Sequence, residues 1–281
     1  MMWKESYRIG IESIDLQHME LFNMVENLLE IIRAEKSDIQ QECNRAIDFL
    51  KDYVVRHFED EEAYLESVNY PDIEAHKLIH KGFVNTVLSY EKKMKESGYD
   101  MADVKQFSGM LTTWLIYHVA GEDRRYIQTE KIDSVPHSKT YEESFERSMK
   151  SVFGTLTGVA IDEVVRDQKI EGEEERLYVN VGLKGGYTGQ ATFTYPKETA
   201  FSIIENMTSM EVSEVDDLVI SALCEMANIV SGNAASELAA SGIECDITPP
   251  DFQSDDQLSE KKDYIQFATK LGEVGVRIDI Q

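Results

Sequence analysis

The chain is expected to be multidomain, an all-α four-helix bundle followed by an α+β domain, and three features of its 281 residues predict this. Through most of the first half, apolar residues recur at three- and four-residue steps, the mark of amphipathic helices. The stretch Thr129 to Thr140 (TEKIDSVPHSKT) loses that period and carries Pro136. Beyond about residue 177, apolar and polar residues alternate in short runs bounded by glycines, as in half-buried strands. The domains are therefore placed at residues 1–130 and 141–281, with a linker at 131–140. Each half is long enough to build its own core.

Residues 1–14 (MMWKESYRIGIESI) hold no helical period and read as an arm across the bundle, anchored by Trp3 and Ile9. From Asp15, the positions Leu16, Met19, Phe22, Met24, Val25, Leu28, Leu29 and Ile32 predict a first helix to about Lys36, with His18 on its apolar side. A second helix starts at Asp38, a good N-cap, and runs through Ala46, Phe49, Leu50, Val54 and Phe58 to about Ser67. His57 and Glu61 ride near its end. Asn69-Tyr70-Pro71-Asp72 is a break, because proline removes a backbone donor and disfavours helical geometry in its predecessor. The third helix runs from about Asp72 to Glu96 and stops at Ser97-Gly98, with His76 and His80 near its start. A fourth run, Val104, Phe107, Met110, Leu111, Trp114, Leu115, Tyr117 and Val119, brings in His118, and Asp123 follows five residues later.

Four such helices joined by short loops make an up-down-up-down bundle. In that topology the ends of helices two and four and the starts of one and three share one end, so His18, His57, His76, His80 and His118 converge. His57 and Glu61 are four apart, as are His76 and His80, so each pair projects from one helical face about one turn apart. A lone histidine on a helix is more often a satisfied surface or core residue than a ligand. Here five of the six histidines gather with two carboxylates, Glu61 and Asp123, which is how bundles build dinuclear metal sites. Imidazole with carboxylate suits iron, manganese or zinc, and seven ligands exceed what one ion takes. The sixth, His137, sits in the linker and is expected to be solvent-exposed.

The order DLQHMELF with His18, HFEDE with His57 and Glu61, HKLIH with His76 and His80, and WLIYHVAGED with His118 and Asp123 resembles the hemerythrin family over residues 1 to about 130. The resemblance implies two iron ions in an oxo- or hydroxo-bridged centre. His18 and His57 would serve one iron, His76, His80 and His118 the other, with Glu61 and Asp123 bridging. It further implies one open octahedral position, where O2 binds as ligand. The His-rich set differs from the carboxylate-rich Glu-x-x-His pattern of other bundle di-iron sites, which favours reversible O2 capture over oxygenation. Trp114 and Leu115, beside His118, are candidates for lining the open position or for plain core packing.

In the second half, Tyr141 to Gly158 reads as a helix with Phe145, Met149, Val152, Phe153 and Leu156 on one side. Leu177, Val179 and Val181 mark a strand, and Gly185-Gly186 a hairpin before Gly189 to Tyr195. A short helix from about Lys197 to Thr208 and a long one from Asp216 to Leu238 follow. Beyond Pro249-Pro250, Ile265, Phe267 and Thr269 with Val274, Val276 and Ile278 form a closing hairpin. Antiparallel strands with segregated helices make an α+β domain. In the long helix, SALCEMANIVSGNAASEL, Glu225 and Asn228 are three apart and share one face. Such pairs are common on exposed helices, but this one interrupts small apolar neighbours.

With the strands before it and CDITPPDF after it, this segment resembles the CheC/CheX-type chemotaxis phosphatases over about residues 141–281. Glu225 and Asn228 match that family's Glu-x-x-Asn motif, with Ser221 four residues earlier. One motif rather than two favours the CheX-like branch, whose members form homodimers. The resemblance implies a phosphorylated CheY-type response regulator as partner and hydrolysis of its aspartyl phosphate. Asn228 would fix the attacking water and Glu225 would pair with a lysine of the regulator.

Composition narrows the remaining classes. With 53 acidic and 28 basic residues the net charge is −25, which repels nucleic acid and anionic lipid. Cys43, Cys224 and Cys245 are odd in number and widely spaced, as in a reducing compartment, and read as buried small side chains. With no signal-like start and no stretch read as approaching the roughly 20 apolar residues of a membrane span, the expected location is cytoplasmic. Joined, the halves suggest an O2- or redox-sensing di-iron protein that dephosphorylates a chemotaxis regulator. The alternative is an O2-binding or scavenging bundle with a catalytically inert dimerisation domain.

Overall fold

The apolar stripes of the first half close into a bundle in which each helix has two neighbours. In the computed structural model, α1 (Glu12–Arg33), α2 (Ile39–Ser67), α3 (Ile73–Ser97) and α4 (Met101–Tyr117) follow in order. α1 packs on α2 and α4, and α3 packs on the same two helices. The structure describes residues 2–34, 39–127, 140–169, 174–185, 188–253 and 263–280. Lys36, Asp38, Gly186 and the linker with Pro136 and His137 lie outside these residues. The chain divides into two compact units, Met1–Glu130 with Asp216–Leu218, and Lys131–Val215 with Val219–Gln281.

α1 starts three residues before Asp15, which lies inside the helix instead of opening it. Its carboxylate accepts from the backbone N–H groups of Ile9 (2.8 Å) and Gly10 (3.1 Å), so it fastens the arm to the helix. The arm holds a short 3-10 turn, Glu5–Tyr7, and Tyr7 joins Trp3 in packing on Phe22, at 5.2 and 5.4 Å between ring centroids. Ile9 is buried with Ile14, Leu65 and Tyr126. Leu16 is 54% exposed. It lies two residues from His18, roughly 200° around the helix, and so falls off the stripe of His18, Leu21, Phe22 and Val25.

The break after α2 turns on Asn69, whose φ of 54° is left-handed, and Gly98, at φ 70°, ends α3 with its N–H on the Met94 carbonyl. Such a cap favours glycine because no Cβ resists the positive φ. Asp100 caps α4, its side chain accepting from the Ala102 N–H at 3.3 Å.

The second unit opens on α6 (Tyr141–Thr157), capped by Thr140, and builds an antiparallel sheet. Its strands are β1 (Ile161–Lys169), β2 (Arg176–Gly185), β3 (Gly189–Pro196), β4 (Cys245–Ile247), β5 (Asp251–Gln253), β6 (Asp263–Thr269) and β7 (Gly272–Ile280). The order is β1-β6-β7-β3-β2-β4, with β5 also on β2. Val179 pairs with Phe193, Phe193 with Val276, and Val276 with Ile265, so one buried row crosses four strands. α7 (Lys197–Thr208) packs on β2, β3, β7 and α6. α8 (Asp217–Ala240) is tied to α6 where the Ser148 hydroxyl donates to the Val230 carbonyl at 2.7 Å.

The α+β class and the longer elements match expectation, while β1, β4 and β5 are additions. β1 is an edge strand with two register shifts and Asp167 at φ 56°, so it lacks the alternation that marks a strand in sequence. α8 is long and apolar enough, by length and composition, to cross a membrane, contrary to the expectation that no stretch comes close. More than half of its most apolar window is buried within the fold, as a core helix requires. Cys43 is buried as expected, whereas Cys224 and Cys245 are half-buried; all three are free.

Candidate metal centre and phosphatase motif

Helical geometry delivers the seven candidate ligands into one space. His18 comes from α1, His57 and Glu61 from α2, His76 and His80 from α3, and His118 and Asp123 from the end of α4 and the start of α5 (Asp123–Ile127). None is more than 4% exposed. Glu61 Oε2 lies 3.2 Å from His80 Nε2, 3.6 Å from His76 Nε2, 3.8 Å from His118 Nε2 and 3.9 Å from His57 Nε2. Asp123 approaches His18 Nε2 at 3.2 Å through one oxygen and His118 Nε2 at 3.3 Å through the other. Two overlapping groups, Glu61 with His76, His80 and His118, and Glu61 with His18 and Asp123, each offer ligand atoms within 4.8 Å of one another.

His118 and Asp123 need a device of their own. Five residues on an α-helix are separated by roughly 140° around the axis, so they would not share a face. Between α4 and α5 the chain forms a π-helical turn, His118–Glu122, in which the Asp123 N–H donates to the His118 carbonyl. The wider turn brings Asp123, five residues on, back over His118.

The electrostatics fit a cation. Burial pushes His18 down to about 4 and His57 to about 3, which leaves neutral imidazoles with lone pairs to give. Burial also raises Asp123 well above the ordinary carboxylate range, reinforced by the charge of Glu61. For Glu61 burial acts upward too, but the imidazoles of His118, His76 and His80 gathered around its carboxylate outweigh it and hold its pKa well below the usual value. Two adjacent buried carboxylates therefore do not both ionise without positive charge between them. His18 Nε2, His57 Nε2, His76 Nε2, Glu61 Oε2 and both Asp123 oxygens are buried without a hydrogen-bond partner. Orphaned buried atoms of this kind are costly unless a metal takes them.

A surrounding layer, which the sequence did not single out, aims the ligands. The His57 Nδ1–H donates to the side-chain amide oxygen of Gln17, Oε1, at 2.9 Å, and the His80 Nδ1–H to the Glu62 carboxylate at 2.8 Å, each turning Nε2 to the centre. The Tyr126 hydroxyl donates to Glu61 Oε1 at 2.5 Å. Each of the three lies within three residues of a candidate ligand, but only the register between helices shows which ligand it serves. Glu62→Ala should weaken metal binding by roughly 10-fold or more in a chelator competition titration. Glu66→Ala, which loses only a surface pair with Lys77, should not.

One side of the centre is walled by apolar side chains. Trp114 stacks on His118 at 4.4 Å and on Phe83 at 3.7 Å, and with Leu115, Leu21 and Met24 it lines an apolar cavity bounded by His57 and His118.

On α8, Ser221, Glu225 and Asn228 fall at steps of four and three residues and share a face. Asn228 Nδ2 donates to Glu225 Oε2 at 3.5 Å, and both side chains are half-buried. Burial pushes the Glu225 carboxyl up to about 8, with the Asn228 contact opposing in part.

A bundle lined with imidazole and carboxylate, followed by an antiparallel sheet domain, defines a two-domain metal-binding protein. Residues 9–129 match the family model for the hemerythrin HHE cation binding domain, and residues 177–269 that for chemotaxis phosphatase CheX. The bacteriohemerythrin of Stenotrophomonas maltophilia is 30% identical over 156 residues, 55% of this chain and 98% of that protein. That of Clostridium acetobutylicum is 33% identical over 128 residues, 45% of this chain and 98% of that protein. Among solved structures, the CheX-CheY-BeF3-Mg2+ complex from Borrelia burgdorferi is similar, at 27% identity over 50% of this chain and 98% of that chain, with a TM-score of 0.44. The chain belongs to the hemerythrin family, and a CheX chemotaxis phosphatase domain is fused behind its hemerythrin domain. A hemerythrin domain implies a non-heme iron centre, and the His and carboxylate cluster could hold it.

Proposed function

We propose that the chain senses O2 or redox state at two iron ions and dephosphorylates a phosphorylated CheY-type response regulator. The observation that carries the metal half is the convergence of five imidazoles and two carboxylates, in which the inward atoms of His18, His57, His76, Glu61 and Asp123 are unpartnered and His80 Nε2 meets only His118 Nε2, at 3.2 Å. In this reading His18 and His57 would hold one iron and His76, His80 and His118 the other, with the carboxylates of Glu61 and Asp123 shared between the two sets. When bound, the iron pair supplies reversible O2 capture and a change of oxidation state. Gln17, Glu62 and Tyr126 keep the ligands aimed, and the apolar wall of Trp114, Leu115, Leu21 and Met24 excludes water and anions.

For the second half, the match to the CheX family model and the shared face of Glu225 and Asn228 support phosphatase chemistry. Water attacks the aspartyl phosphate in line, the bond from phosphorus to the aspartate oxygen breaks, and phosphate and a free carboxylate leave. Asn228 accepts from and donates to that water, which a carboxamide can do at once. Glu225 pairs with a regulator lysine, and the regulator brings its own metal and phosphate. The domain boundaries in this reading are 1–130 and 141–281 with a linker at 131–140. The protein works in the cytoplasm as a homodimer formed through the CheX-like domain.

A pH dependence follows from Glu225. With its carboxyl pushed up to about 8, the group binds a proton at neutral pH and must lose it to pair with a lysine. Regulator affinity should therefore rise as pH increases towards 8 and level off above it, by about 10-fold per pH unit on the rising limb. Glu225→Gln should flatten the profile, measured as Kd for beryllofluoride-activated regulator from pH 6.5 to 9. The function as a whole is tested by absorption spectra of reduced and air-exposed protein together with release of phosphate from the regulator. Absence of the iron spectrum would remove the sensor, and absence of phosphate release would leave an O2-binding bundle with an inert partner domain.

A further inference from the structure

The candidate ligands are at most 4% exposed, so any small molecule that reaches them must pass between side chains. Two apolar spaces in the bundle show where. The inner one, with about 10 Å³ of free space, is bounded by His57 and His118. A volume of that size takes about one water-sized guest. The outer one is a groove of about 200 Å³ between α2 and α3, with Val55, Val84, Val87 and Leu88 in its wall. Leu50, Val54 and Phe83 line both. A single layer of side chains therefore separates the groove from the cavity against the histidines.

We infer that a small neutral gas reaches the metal centre through the α2–α3 groove, with Leu50, Val54 and Phe83 as its gate. The inference rests on the proposal that O2 is the ligand. Val55 and Leu88, 47% and 43% exposed, make the mouth apolar, and the one charged lining residue, Lys51, turns its amine to Glu91 at 3.1 Å. Such a wall strips the hydration from an anion without replacing it, whereas an apolar diatomic loses almost nothing. Val54 is the smallest of the three gate residues and sets the bore. Phe83 is held in place by its stack on Trp114, so opening falls to the aliphatic members.

A gate raises or lowers the barrier common to arrival and escape and leaves the end states alone. Val84→Phe narrows the half-buried mouth without touching the inner cavity. In the iron-loaded full chain it should slow O2 association and dissociation by the same factor, about 10-fold for each 1.4 kcal/mol of added barrier, with Kd unchanged. Val54→Ala should speed both. A second readout needs no metal: in a Trp3→Phe background, quenching of Trp114 fluorescence by dissolved O2 should fall in Val84→Phe and rise in Val54→Ala. Unchanged quenching and unchanged rates in both variants would overturn the route. Quenching that shifts as expected in a protein whose iron-loaded form takes up no O2 would keep the route and overturn the ligand assignment.

Discussion

Asn228→Ala is expected to slow regulator dephosphorylation about 100-fold or more, because removing a group that positions the reacting water acts in the transition state and misplacement alone costs on that order. Affinity for the activated regulator should stay within about threefold, since docking in this reading belongs to Glu225. The two measurements are single-turnover loss of the acyl phosphate and binding of the beryllofluoride-activated regulator. Glu225→Ala should instead weaken binding as well as rate. Rates equal to the parent protein in both variants would leave the second domain without the proposed chemistry. The contact at 3.5 Å between the two side chains is long for a hydrogen bond, which leaves Asn228 free to turn towards a water once Glu225 finds a lysine.

Asp123→Ala should reduce iron from two ions per chain to one or none, with loss of the spectrum of the coupled pair. Asp123 faces His18 through one oxygen and His118 through the other, so its removal takes a ligand from both sides of the centre. The same substitution should stabilise the metal-free protein, by roughly 1 to 3 kcal/mol, because it removes a buried carboxylate whose lone pairs have no partner. Iron analysis and chemical unfolding of both forms check the two signs. Full occupancy with an unchanged spectrum would exclude Asp123 as a ligand, and a metal-free variant less stable than its parent would show that the carboxylate serves the fold.

Which side chains face inward was largely legible in the sequence. His57 with Glu61 and His76 with His80 sit four apart, and that spacing makes each pair share a face in any α-helix. The break at Pro71 folds the two helices back, so the meeting of those pairs also follows from local chemistry. In the second half, the alternation of Leu177, Val179 and Val181 marks β2, because period two is imposed by the pleat. Strand β1 leaves no alternation in the sequence, because an edge strand with register shifts has no consistent buried face. Cys224 and Cys245 are half-buried rather than buried, because exposure at single positions depends on neighbours far along the chain.

The two domain classes, the longer helices to within a few residues at their ends, and the residue types on the inward faces of the bundle follow from the sequence alone. These depend on periodicities of the backbone, which are local. Only the tertiary structure decided three further things. His118 and Asp123 cooperate across five residues through a π-helical turn, which an α-helical reading of the spacing does not foresee. Gln17 serves His57 and Glu62 serves His80 because α1 meets α2, and α2 meets α3, in one particular register. The apolar route shares Leu50, Val54 and Phe83 between two spaces because α2 and α3 pack with a shallow gap between them. Registers and gaps arise from the fit of whole side-chain surfaces, and no repeat along one chain segment encodes that fit.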